Sequence, residues 1–344
     1  MLDRVIDANL NRAREGLRVC EEIVRFVLND PDLTSDFKNL RSDLKKINCQ
    51  LDLAIYSRDI GKDVGRKSFS KEEKKRQDYL QIFSANIKRV QEALRVLEEF
   101  LKVAQPALAR QAKKLRFELY ALEKRSMEKL QALDLRASKL NFSLYGFLDF
   151  SLVSDKNYMQ VLVQMAKGGL KILQYRDKFS TREKILQRAK KIARFCQKHR
   201  IALIINDHVD IAKEVEADGV HLGQGDISSA TARKILGIGK IIGRSTHSFQ
   251  QALAAEKQGA DYIACGPIFK TPTKKGRPAV GLDLLKKVAA QIKIPVVAIG
   301  DINLNNLAQI KSVYLKAKVA VLRGLLQAKD IAAEVKYYQK HLAG

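Results

Sequence analysis

The pattern of apolar and polar positions changes once along the chain, near residue 140. Before that point apolar residues recur with the 3.6-residue period of a helix, and strand-like runs are almost absent. Leu10, Ala13, Leu17, Cys20, Val24 and Val27 fall on one face of a first helix. Pro31 and Pro106 mark expected helix ends. A second helix is predicted over about 37–53, and a counterpart over about 108–133. After residue 140, short runs rich in Ile and Val alternate with basic amphipathic segments. The runs are 144–148, 172–175, 202–205, 219–222, 241–244, 262–265, 295–299 and 319–322. Segments such as 181–199 and 283–292 read as helices with outward charges. Eight strand–helix units in succession predict a (β/α)8 barrel. The expected fold class is α/β: a C-terminal TIM barrel over 136–344, preceded by an all-α helical bundle over 1–135. A doubly wound open sheet is the alternative, although no GxGxxG segment follows the first strand.

The helical part contains an internal repeat. Asn9, Arg12, Glu15, Leu17, Arg18, Val19, Glu21 and Glu22 recur in register as Asn86, Arg89, Glu92, Leu94, Arg95, Val96, Glu98 and Glu99. Lys38, Leu40, Arg41 and Leu44 match Lys113, Leu115, Arg116 and Leu119. Two hairpins related by a pseudo-twofold would pack into a bundle. The repeated Asn, Arg and Glu border the apolar faces, either as ion pairs across the internal axis or as a binding site. Between the copies lies a polar stretch, 56–68, that the helices do not need. In it Asp59 and Asp63 are candidate Mg²⁺ ligands, and the glycines and Arg66 could approach phosphate. An ordinary polar connection is the plainer alternative. The segment 131–141 is charged and lacks Pro and Gly. A continuous helix there would fix the relative orientation of the two domains.

In a barrel the active site gathers at the carboxyl ends of the strands. The sixth strand leaves through Gly266 and Pro267 into a loop carrying Thr271, Thr273, Lys270, Lys274 and Lys275. Hydroxyls and ammonium groups on such a turn suit a phosphorylated ligand. The second strand ends in QYRDK, where alternation sends Gln174, Arg176 and Lys178 to one side. Two cations and an amide there can bind a diphosphate and a heteroaromatic ring. The third strand ends in Asn206 and Asp207, and the fourth runs from His221 to Asp226. Asp207 and Asp226 can share one Mg²⁺, which takes few carboxylates and completes its shell on substrate and water. Ser245, after the fifth strand, can donate to a phosphate oxygen. The seventh and eighth strands deliver Gly300–Asp301 and Leu322–Arg323, loops of the kind that bind phosphate through backbone N–H groups. Singly, such an Asp is often a helix cap, and His221 or His247 a structural histidine. Functional groups on six or more successive strand ends point to a site. No Cys, Ser–His pair or lysine amine is evidently placed to attack carbon, so no covalent enzyme intermediate is required.

The motif series QYRDK, ND, ADGVHLGQGD, GRSTHS, GPIFKTPTKKG and VAIGDI resembles that of the thiamine-phosphate synthases over about 140–344. The resemblance implies a Mg²⁺-assisted dissociative substitution that joins hydroxymethylpyrimidine diphosphate to thiazole phosphate and releases diphosphate. It assigns Gln174, Tyr175, Arg176, Asp177, Lys178, Asn206, Ser245 and Lys274 to the pyrimidine diphosphate, with Arg176, Lys178, Ser245 and Lys274 catalytic. It assigns Thr271, Pro272, Thr273, Gly300, Asp301, Leu322 and Arg323 to the thiazole phosphate, and Asp207 and Asp226 to the metal. The family usually has glycine where this chain has Asp301, and many members have Ser where it has Arg323. The helical repeat and the SRDIxxDVG loop resemble a domain often fused to such synthases. That domain is implicated in phosphorylating hydroxymethylpyrimidine phosphate. The resemblance thus extends to Asn9, Arg12, Asp59, Asp63, Asn86 and Arg89, with ATP as a candidate ligand, although no Walker-type loop is present. A thiazole tautomerase, a non-catalytic phosphometabolite sensor and a purely structural oligomerisation bundle are the rival readings.

Composition narrows these choices. Of the 344 residues 46% are hydrophobic and 29% charged, as in a soluble globular protein. No apolar run is long enough to cross a bilayer, and the N-terminus lacks the order of a signal peptide. The net charge of +25 is spread among acids on predicted helices, which favours attraction of anionic small substrates, or simply a lysine-rich proteome, over nucleic-acid binding. Cys20, Cys49, Cys196 and Cys265 are widely separated, consistent with reduced thiols in a cytoplasm. Self-association is compatible with the bundle.

Overall fold

The structure, a computed structural model, describes residues 2–51, 76–271, 276 and 278–342. The chain divides into two compact units, Met1–Leu133 and Asp134–Gly344. The helical unit contains α1 (Leu2–Phe26), α2 (Pro31–Cys49), α3 (Tyr79–Ala104) and most of α4 (Pro106–Lys139). Leu10, Ala13, Leu17, Cys20 and Val24 are buried along α1 as the period predicts. Val27 is not: it lies beyond the helix end and is 37% exposed, and Leu28 takes the buried position. The prolines do more than end helices. Pro31 and Pro106 each open the next one, because the first turn has no use for the missing N–H. The second helices therefore begin earlier than the apolar period suggests. Asp30 caps α2 by accepting from the Leu33 N–H at 3.0 Å. The buried carboxylates Glu21 and Glu98 occupy equivalent repeat positions. Each meets an arginine from the following helix, Arg41 at 3.2 Å and Arg116 at 2.9 Å. The charged segment 131–139 is helical, as the last turns of α4.

In the second unit β1 (Leu144–Asp149), β2 (Ile172–Arg176), β3 (Ala202–Asn206), β4 (Gly219–Leu222), β5 (Ile241–Thr246), β6 (Tyr262–Cys265), β7 (Val296–Ile299) and β8 (Lys318–Val321) form a closed parallel barrel in sequence order. The pairing of β8 back onto β1, with Leu144 opposite Val319, closes the sheet and excludes the open alternative. Alternation sorts each strand into two layers. Tyr145, Phe147, Ile172, Ile204, Ile241, Tyr262 and Val297 fill the interior. Leu148, Leu173, Tyr175, Leu203, Ile205 and Ile263 face the surrounding helices. Gly243 on β5 makes room for a large interior ring, since a Cβ there would lie 2.1 Å from the Tyr262 ring. Among the described residues no helix is long and apolar enough to cross a membrane.

Candidate active site

One end of the barrel mouth is a charged cluster built by β1 to β5. Alternation aims Gln174, Arg176 and Lys178 to the mouth. Arg176 donates to the buried Asp149 at 2.5 Å, and Asp149 also accepts from the Ser151 N–H at 2.9 Å. This pair fixes the guanidinium, leaving other N–H groups for a ligand. Lys178 Nζ lies 2.9 Å from Asp207 Oδ2. Asp226 Oδ2 accepts from the Gly223 N–H at 2.6 Å. Burial is the main cause pushing the Asp226 carboxyl above the ordinary aspartate range. The Gly223 N–H pulls the other way, and the neighbouring Asp207 charge adds to the rise. Asp207 itself sits at φ +63, a left-handed conformation that Asp tolerates better than most residues. Two carboxylates this close repel, and a hard divalent cation would relieve them. Among the described residues no third His, Cys, Asp or Glu joins them. Such a set fits Mg²⁺, which keeps positions for water and substrate oxygens.

The other end lies at β6, β7 and β8. A cavity of ≈ 70 Å³ there is lined by Thr271, Gly300, Asp301, Leu322 and Arg323, with Gly266 and Pro267. Its size suits a few water-sized groups, the scale of a phosphoryl group. Gly300 adopts φ +119, and a Cβ on it would come 2.5 Å from Pro267 Cα, so only glycine leaves this wall open. Arg323 Nε is buried with no hydrogen-bond partner among the described residues. Arg323 also lines the cavity, and an anion bound there would meet the charge of its guanidinium. Asp301, the departure from the family's glycine, sits at φ +47 with its side chain exposed, while its carbonyl accepts from Asn303 and Asn306 at 3.1 and 2.9 Å. The conformation explains the usual glycine, and the exposure explains why the carboxylate is tolerated. We expect Asp301→Asn to keep the fold and lower KM for a substrate whose phosphate enters this cavity by roughly 2–5-fold, the worth of one exposed charge pair. Steady-state kinetics with any second substrate saturating would show it, and an unchanged KM would remove Asp301 from the site.

A chain of hydrogen bonds through the barrel interior links the two sides of the first cluster. Gln174 Nε2 donates to the Tyr145 hydroxyl at 3.1 Å. The Tyr145 and Tyr262 hydroxyls lie 2.9 Å apart, and Tyr262 is 2.9 Å from His221 Nδ1. His221 Nε2 is 2.9 Å from Ser245 Oγ. Burial above all raises both tyrosine pKa values, so the phenols stay protonated. This corrects the sequence reading in one respect, because a Ser–His contact does exist. The remaining ring nitrogen faces a neutral phenol, and the contact fixes the position of the Ser245 hydroxyl at the end of β5. Tyr145, Tyr262 and Asp149 escape sequence reasoning. For Tyr145 and Asp149 the one signal is alternation along β1, which sets them with Phe147 on the inner face, while Tyr262 opens β6 as an ordinary core aromatic. Tyr262→Phe should cost about 1–3 kcal/mol, since buried partners lose their bond. It should also lower kcat/KM through Ser245. Denaturant unfolding and kinetics together test this; a variant of native stability and activity would show the chain to be idle.

Two assigned residues do not reach the mouth. Tyr175 packs in the outer layer, and Asp177 is buried against Arg188 at 2.5 Å, also accepting from the Phe179 and Ser180 N–H groups. Burial works to raise the Asp177 pKa, but these donors outweigh it and hold the group ionised. The QYRDK run therefore contributes alternate residues, as the strand period requires. Asn206 is buried at the end of β3. Pro272, Thr273 and Lys274 lie outside the described residues, as do Asp59 and Asp63. In the helical unit Asn9, Arg12, Glu15, Asn86, Arg89 and Glu92 line one groove of ≈ 510 Å³ between α1 and α3.

A closed parallel barrel whose mouth carries a cation–carboxylate cluster and a separate anion cavity defines a TIM-barrel enzyme of phosphorylated small molecules. Residues 144–325 match the thiamine monophosphate synthase family, and residues 4–125 match the ThiD2 family. A thiamine-phosphate synthase of Nostoc punctiforme is 39% identical over 339 residues, covering 98% of this chain and 93% of the relative. One from Synechocystis is 40% identical over 328 residues, covering 95% and 92%. The structure of thiamine phosphate pyrophosphorylase from Pyrococcus furiosus superimposes with a TM-score of 0.54 at 29% identity, covering 60% of this chain and all of that one. The chain belongs to the thiamine-phosphate synthase family and is an enzyme of thiamine biosynthesis.

Proposed function

We propose that the barrel joins 4-amino-2-methyl-5-(diphosphooxymethyl)pyrimidine to 4-methyl-5-(2-phosphooxyethyl)thiazole, giving thiamine phosphate and diphosphate. The observation that carries this reading is the presence of two chemically different anion sites at one mouth. The β7–β8 cavity, with Arg323 in its wall, suits the thiazole monophosphate. The cluster of Arg176, Lys178, Asp207 and Asp226 suits a diphosphate with its counter-ion. Asp207 and Asp226 would hold Mg²⁺, which neutralises diphosphate charge when bound. Arg176 and Lys178 bind the diphosphate oxygens and stabilise the charge that gathers on them as the carbon–oxygen bond breaks. Lys274 would add a third cation. Gln174 and Asn206 present amides to the aminopyrimidine, and Ser245 donates to a diphosphate oxygen. The thiazole nitrogen, held by its phosphate arm, supplies the electron pair that closes the new bond at the methylene carbon. The purified chain, given both substrates and Mg²⁺, should form thiamine phosphate and diphosphate in equal amounts. A tautomerase or a sensor would leave the substrates unjoined.

For the helical unit, the ThiD2 match supports phosphorylation of hydroxymethylpyrimidine phosphate to the diphosphate, the substrate the barrel consumes. Its candidate residues are Asn9, Arg12, Asn86 and Arg89 in the α1–α3 groove, with Asp59 and Asp63 from the connecting stretch. Asp63→Ala should abolish ATP-dependent diphosphate formation while leaving synthase activity intact. Equal loss of both activities would remove the assignment.

A further inference from the structure

The two halves of the helical repeat differ in one place that the α1–α3 groove does not involve. In the first half a groove of ≈ 520 Å³ opens between α1 and α2. Arg14, Lys38, Arg41 and Lys45 line it, against the single acid Asp7. Leu10 and Leu44 are buried and form an apolar floor. Arg41 is anchored by buried Glu21, and Arg14 donates to Asn11 at 2.9 Å. Lys38 and Lys45 have no carboxylate partner among the described residues. In the second half the repeat puts Phe117 and Tyr120 where Ser42 and Lys45 stand, and Gln91 and Glu123 where Arg14 and Asn48 stand. There Phe117 and Tyr120 pack edge to face, and Arg116 donates to the Tyr120 hydroxyl at 2.8 Å. Gln91 donates to Glu123 at 2.6 Å, across the line the first half leaves open. The same helical hairpin thus carries a partly exposed aromatic pair and a Gln–Glu pair in one copy, and a groove lined by four cations in the other.

We propose that the α1–α2 groove binds the phosphate chain of a nucleoside triphosphate. Four cations on two rigid helices, one a planar fork held in place, suit several phosphate oxygens at once. The concave wall concentrates their field. The role of the bound chain as phosphoryl donor rests on the kinase reading above; the binding does not.

The test uses the full chain and titration calorimetry with ATP and with inorganic tripolyphosphate at fixed salt. Both should bind. A variant carrying Arg14→Gln, Ser42→Phe and Lys45→Tyr copies the second half into the first and should weaken both by at least tenfold, with synthase activity unchanged. Lys38→Gln, a milder surface change, should weaken both several-fold, and so guards against misfolding of the triple variant. Unchanged affinity in both variants would overturn the proposal, as would a wild-type chain that binds neither probe, or ATP but not tripolyphosphate. The kinase reading fails separately: a wild-type chain that binds ATP in this groove without phosphorylating the pyrimidine monophosphate sinks the kinase and leaves the site. A kinase whose KM for ATP is unmoved by both variants sinks the site and leaves the kinase.

Discussion

Asp226→Asn is expected to lower synthase turnover by about 10²–10³-fold, the scale of removing one preorganised electrostatic group. The same change should raise the melting temperature of the metal-free protein by about 2 °C. Both effects follow from one geometry. Asp226 is partly buried beside Asp207, so its ionised form is disfavoured without a cation. An acid whose folded pKa is raised stabilises the fold below its unfolded pKa, and that contribution is lost as pH rises through the folded value. At neutral pH the ionised side chain is therefore a liability in the metal-free fold, and amide replacement removes it. Mg²⁺ should reverse the balance, stabilising the native protein more than the variant. Activity at graded Mg²⁺ with matched thermal melts checks all of this. Near-normal turnover at limiting Mg²⁺, or a variant that melts lower without metal, would contradict the assignment.

Arg323→Met should raise KM for the thiazole phosphate by roughly 10–100-fold, the worth of a lost charged hydrogen bond. KM for the pyrimidine diphosphate should hardly move, because Arg323 lines the cavity at the β7–β8 end, while the cluster proposed to hold the diphosphate is built by β1 to β5. Methionine keeps much of the apolar stem, so packing against the cavity wall survives. The buried Nε disappears with the substitution, and stability should not fall. Steady-state kinetics varying each substrate in turn give the answer. Equal effects on both KM values would mean that the mouth is a single undivided anion site.

Much of this architecture is legible in the sequence because β-branched runs and alternation are local signals. The strand limits differ from the apolar runs by only a residue or two, as at β2, where the run 172–175 extends to Arg176. Alternation correctly separates Gln174, Arg176 and Lys178 from their neighbours. Reading QYRDK as a block obscures this, and it wrongly places Tyr175 and Asp177 at the mouth. The Tyr145–Tyr262–His221–Ser245 chain is not legible, because it crosses β1, β6, β4 and β5, and its tyrosines look like ordinary core aromatics. Asp149 hides for the same reason: its partner Arg176 is on the neighbouring strand, 27 residues away. Arg323 is visible as a departure from the family, but only the fold shows that its Nε is buried beside a cavity. In the helical unit the recurrence is a matter of sequence, whereas only the structure shows the groove that Lys45 lines and the edge-to-face contact that Phe117 and Tyr120 make at the matching positions.

The division of the barrel mouth is tested most directly by a crystal structure of the chain with thiamine phosphate and diphosphate bound. The thiazole phosphate should lie in the β7–β8 cavity, within about 2.7–3.2 Å of a backbone N–H after Gly300 and of the Arg323 side chain. The diphosphate should contact Arg176 and Lys178, with a metal between it and Asp207 and Asp226. A thiazole phosphate found instead against Lys178, with the β7–β8 cavity empty, would contradict the account.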